Sequence, residues 1–130
     1  ISKSTLRSHG AVAIVGDVMQ NHVYHSKMQT EGCVILGNLS VDAISQSVVP
    51  VTEQEIDVVI KAMVCHPDNL EVHESACFTL MSLASTASNV KLIRGNDMSK
   101  LALELSLQKH PDEVGINILT LLRKLKFDDT

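Results

Sequence analysis

The stretch HPDNLEVHESACFTLMSLAS, residues 66–85, places His66, His73 and Cys77 close behind Cys65, so four side chains able to ligate zinc fall in one short segment. His73 and Cys77 stand at i and i+4, neighbours on one helical face and acceptable as two ligands of a tetrahedral site. A thiol nucleophile is the other chemistry on offer, and it demands an oriented base and a pair of oxyanion donors. Cys65 has only generic neighbours, and the chain contains neither a G-x-S-x-G turn nor a phosphate-cradling glycine loop. The choice between chemistry and packing depends on whether these residues recur at equivalent places in the elements that position them.

They recur. Sliding the chain by 44 residues sets Val15 on Val59, Met19 on Met63, His22 on His66, Cys33 on Cys77, Leu36 on Leu80 and Leu39 on Leu83. A second slide sets His66 on His110, Pro67 on Pro111, Val59 on Leu103 and Met63 on Leu107. Past the third histidine the expected turn is two residues shorter, and a shift of 42 carries Val72 to Val114, Cys77 to Leu119, Leu80 to Leu122 and Leu83 to Leu125. A period of roughly 40–47 residues belongs to helical repeats of two or three helices. On this reading Cys33, Cys77 and Leu119 share one buried stripe where cysteine acts as a small hydrophobe. No metal, cofactor or catalytic residue is therefore expected.

Each unit has the same grammar. Ile56, Val59, Ile60 and Met63 mark a middle helix started by Thr52 with Glu55 as a capping box. HPDN breaks it, with Asp68 and Asn69 offering cap oxygens to a long helix that carries Val72, Ala76, Cys77, Leu80 and Leu83. SNVKLIRGN predicts a short helix from Asn89 to Arg94, closed at Gly95-Asn96 where positive φ is expected; AISQSVVPV, ended by Pro50, is its counterpart one unit earlier. With no alternating stretch for a strand, the fold class is all-α: one domain of about three units, approximately 1–40, 41–84 and 85–127.

The histidine at 22, 66 and 110 ends each middle helix, where its ring is expected to cap the last carbonyls. Met19, Met28 and Met63 are expected to fill gaps in the stripes. The sequon Asn38-Leu39-Ser40 lies in a helix whose Leu39 is core, which argues against glycosylation there. RKLKF, 123–127, places cations in the last helical turn as a soluble end cap. AVAIVGDVM has no such cap, so the first unit is expected to lean on another repeat or a partner.

Composition narrows the function. Hydrophobic residues are 45% and charged residues 20% of the 130, a globular balance. The net charge of −4 gives no field for phosphate backbones, and Tyr24, Phe78 and Phe127 are the only aromatics available for base stacking or a ring-lined pocket. Neither nucleic acid nor a small-molecule substrate is expected. No apolar run spans a bilayer and ISKSTLRSHG lacks a signal-peptide layout, so no membrane insertion is expected. Three cysteines form no disulfide framework and point to a reducing compartment, cytoplasmic or nuclear. Ile1 in place of Met is expected to mark a processed or trimmed terminus.

NVKLIRGNDMSKLALELSLQKHPDEV reads as a short helix, a glycine corner and a second helix, while ACFTLMSLAS and GCVILGNLS read as a third helix in which a small pair precedes L-x-x-L. In these motifs the chain resembles the armadillo repeat family, with HEAT repeats as a near relative, from about Ala11 to Leu125. The resemblance implies a right-handed α-solenoid whose third helices line a concave groove for extended peptides. It would place Val34 and Asn38, Phe78 and Ser82, and Thr120 and Lys124 in that groove, with Glu74 one turn earlier. Importin-α-like members carry Trp four residues before Asn; here Val34 precedes Asn38, so nuclear localisation peptides are not expected to bind. The implied function is a protein-interaction or scaffold module, not an enzyme, with a fixed subunit of a large assembly as the alternative.

Overall fold

The computed structural model describes residues 10–43 and 50–127, and among these it contains seven helices and no strand. The helices are α1 (Ala11–Asn21), α2 (Ser26–Ala43), α3 (Glu53–Cys65), α4 (Leu70–Leu83), α5 (Ala87–Gly95), α6 (Ser99–Lys109) and α7 (Pro111–Leu125). The chain is all-α, as its periodicity predicts.

Local chemistry sets most of the boundaries. Thr52 caps α3 by accepting the Glu55 N–H at 3.1 Å, and Asn69 caps α4 by accepting the Val72 N–H at 3.1 Å. Thr86 does the same for α5 through the Asn89 N–H, one residue pair that the sequence reading leaves unassigned. Asp68, the other proposed cap, instead pairs with Lys109 at 3.2 Å. The α5 helix ends at Asn96 with φ −74, so the positive φ expected at Gly95-Asn96 is absent; the Asn96 side chain takes the Met98 N–H at 3.0 Å and turns the corner without it. The segment AISQSVVPV falls mainly on 44–49 and lies outside the described residues.

The helices pack in two rows. In one, α1 lies on α3 and α3 on α6; in the other, α2 lies on α4 and α4 on α7. Chain neighbours join the rows as α1 with α2, α3 with α4 and α6 with α7, and α5 packs on α6 and α7. The core runs through the interior as one cluster, from Met19 through Leu36, Val59, Met63, Leu80 and Leu103 to Leu125. The α2–α4 contact is the most extensive. Gly37 faces the Phe78 ring, the Thr79 hydroxyl sits against the same spot, and that hydroxyl donates across the interface to the Cys33 carbonyl.

One position differs from expectation: Leu119 is 57% exposed. The 42-residue shift itself holds, setting buried Val72, His73, Ala76, Thr79 and Leu83 of α4 on buried Val114, Gly115, Ile118, Leu121 and Leu125 of α7. Leu119, the counterpart of Cys77, belongs to the last described helix, so no later helix packs on it. Between α3 and α4 four residues, 66–69, intervene, whereas His110 alone separates α6 from α7, which begins at Pro111. Proline is comfortable at a helix start because its missing N–H has no partner there anyway.

Candidate binding face

The α4 helix packs on both α2 and α7, so the residues proposed from the sequence stand on three adjacent helices. Val34 and Asn38 lie on α2, Glu74, Phe78 and Ser82 on α4, and Thr120 and Lys124 on α7. Asn38, Glu74, Phe78 and Lys124 are exposed, while Val34, Ser82 and Thr120 are half-buried. The Ser82 hydroxyl donates to the Phe78 carbonyl at 3.0 Å and the Thr120 hydroxyl to the Ile116 carbonyl at 2.8 Å. Their protons are thus committed to their own helices, and each oxygen is left as an acceptor.

Phe78 is the centre of this surface. Its ring is 41% exposed and rests on Gly37 of the neighbouring helix, where any side chain would collide with it. A ring fixed on one side and open on the other is a preorganised apolar anchor of the kind that dominates interface energetics. Gly37 escaped notice in the sequence because its role depends on a residue 41 positions away.

The histidines form a seam between successive helical pairs. His22, His66 and His110 are the C-caps of α1, α3 and α6, as expected, but the rings of His66 and His110 reach across to the preceding pair. The His66 Nε2–H donates to the Val23 carbonyl at 2.7 Å and the His110 Nε2–H to the Pro67 carbonyl at 2.9 Å. Buried His73 donates from Nε2 to the His66 carbonyl at 3.1 Å, accepts the Ser106 hydroxyl at Nδ1 at 2.8 Å, and lies 4.8 Å from the His110 ring. Burial, then repulsion from His110 and more weakly His66, push its pKa down, against the pull of the His66 and Met63 backbone carbonyls.

The thiols serve packing. Burial pushes the Cys33 thiol up to about 12 and the Cys77 thiol up to about 11, the opposite of what a nucleophile or metal ligand needs. Among the described residues no three His, Cys, Asp or Glu side chains come together in a way that could hold a metal ion, and no helix is long and apolar enough to cross a membrane. Met19 and Met63 are buried as expected, whereas Met28 is exposed. It lines a groove of about 340 Å³ between α1 and α2 with Ile14, Val18 and Ile35, at the end of the chain that the sequence leaves uncapped. At the opposite end Arg123 and Lys124 occupy the last turn of α7.

No protein-family model, no curated protein and no solved structure matches this chain, so its function is argued from its own residues.

Proposed function

We propose that the chain is an armadillo-type α-solenoid of about three units that acts as a protein-interaction module, holding an extended peptide or a partner subunit along α2, α4 and α7. Two observations favour the solenoid reading: each row of helices follows chain order, and the same imidazole-to-carbonyl bond occurs at His66–Val23 and again 44 residues on at His110–Pro67. A unit that cannot cover its own apolar stripe stacks on its neighbours.

The binding assignment rests on Phe78, an exposed ring preorganised over Gly37 in the middle of the row. Around it Asn38 supplies an amide for a peptide backbone, Val34 an apolar shelf, and Glu74 and Lys124 charges of opposite sign. The test is selection from a displayed library of extended peptides, followed by titration of the winners. Peptides that lose at least tenfold in affinity with Phe78→Ala, while the variant keeps its helical signal, support the reading. A library yielding only binders indifferent to Phe78 and Asn38 would sink it.

A second reading, a fixed subunit clamped into a larger assembly through its first helical pair, is favoured by the open apolar groove between α1 and α2. Its sign would be obligate co-purification with one complex, unaffected by Phe78→Ala.

A further inference from the structure

Apart from Phe78, the described large apolar side chains that stand exposed lie in the first helical pair or the last triplet. At the first end are Ile14, at 64%, with Val18, Met28 and Ile35, which line the α1–α2 groove. At the far end are Leu101 on α6, at 50%, and Leu119 on α7, at 57%; Ile116 stands one turn before Thr120 on the α2–α4–α7 face.

The groove has a counterpart inside the molecule. Sliding by 44 residues sets Ile14 on Val58, Val18 on Ala62, Met28 on Val72 and Ile35 on Thr79, and all four counterparts are buried in the pair that has α1 and α2 packed on it. Ile14 and Val18 continue to Ala102 and Ser106, both buried in α6, which packs on α3. The groove is thus a seat that a preceding helical pair of this same chain fills at each internal step. The last triplet ends in such a pair, and its Leu101 and Leu119 have no described partner helix beyond them; Asp57, the counterpart of Leu101, bonds the Asn96 side chain of the next unit, and Cys77, the counterpart of Leu119, is buried.

We infer that the seat is filled by a second copy of this chain, docked head to tail, with α6 and α7 of one molecule set on α1 and α2 of the next. This continues the rows α1–α3–α6 and α2–α4–α7 across the junction; it rests on the stacked-unit reading of the fold but uses none of the Phe78 surface. The contact is heterologous, so each added copy leaves one free seat and one free end for the next. Its strength is set by apolar burial at both ends, and the apparent mass therefore rises with concentration.

Sedimentation velocity from low micromolar to near-millimolar chain tests it, with Ile14→Asp/Val18→Asp as the seat variant and Leu101→Asp/Leu119→Asp as the end variant. All four positions are solvent-exposed, and circular dichroism confirms that the variants are folded. Wild type is expected to grow beyond a dimer. Each variant alone is expected to stay monomeric, and their equimolar mixture to form a dimer and stop, because one good seat meets one good end. A wild type that stays monomeric throughout overturns the proposal, as does an end variant that assembles like wild type, which would mean a seat-to-seat dimer. Phe78→Ala is expected to assemble unchanged, so this outcome and that of the peptide selection are read separately.

Discussion

Gln29 and His73 occupy the same place 44 residues apart and do the same work with different chemistry. The Gln29 Nε2 donates to the Met19 carbonyl at 3.0 Å and the His22 carbonyl at 2.8 Å, closing the end of α1. The His73 ring reaches the corresponding Met63 and His66 backbone at the end of α3. Their second polar atoms fare differently. His73 Nδ1 has the Ser106 hydroxyl, but the buried Gln29 Oε1 has no partner among the described residues, and the residue at the place of Ser106 is Ala62.

Ala62→Ser is accordingly expected to give the Gln29 carbonyl a donor and to raise stability by about 1 kcal/mol, the net worth of an ordinary hydrogen bond. Denaturant melts of wild type, Ala62→Ser, Gln29→Leu and the double variant would show it. The gain must vanish in the Gln29→Leu background; a gain that persists there would come from elsewhere.

Acid should loosen the seam through His73. Its folded pKa lies below the ordinary 6.5, so below that value the unfolded chain binds more protons than the folded one. The stability it contributes is fully present above pH 6.5 and drains away as pH falls from there toward the folded pKa. His73→Gln, which borrows the residue that nature placed at 29, is expected to keep the neutral-pH stability and to flatten this part of the stability–pH curve. An unchanged curve in the variant would assign the acid sensitivity to other groups.

At the α2–α4 contact, Gly37→Ala would drive a methyl group into the Phe78 ring and to within 3.0 Å of the Thr79 hydroxyl oxygen. A cost of about 1–3 kcal/mol is expected, typical of overpacking. Adding Phe78→Ala should recover most of it, and the coupling is read from a double-mutant cycle in thermal or denaturant melts. Additive effects would mean that the ring does not rest on the glycine.

Thiol labelling separates the three cysteines. Cys65 is half-buried, whereas Cys33 and Cys77 are buried with thiols pushed up to about 12 and about 11. One thiol is expected to react in the native protein and all three after unfolding. Cys77→Ser should leave the fast phase intact, and Cys65→Ser should remove it.

The helices, the caps at Thr52 and Asn69 and the apolar stripes of α3 and α4 were legible because they depend on neighbours within a turn or two. The recurrence of histidine was legible too, yet its ring was assigned to its own helix, since only the packing of one pair on the next brings Val23 beneath His66 and Pro67 beneath His110. Pairing Gln29 with His73 was hidden by the unlike residue types. Leu119 holds the place at which Cys77 is buried, but α7 is the last described helix and no later one covers it. Met28 was misplaced for a related reason: its stripe is real, but the surface it faces has no described helix on it.

The imidazole bridges all point one way, from a later ring to an earlier carbonyl. A chain leaving the ribosome presents the Val23 and Pro67 carbonyls before the ring that will meet each one has been synthesised. Each of these two rings therefore meets a carbonyl already in the chain, and neither bridge waits for the C-terminus.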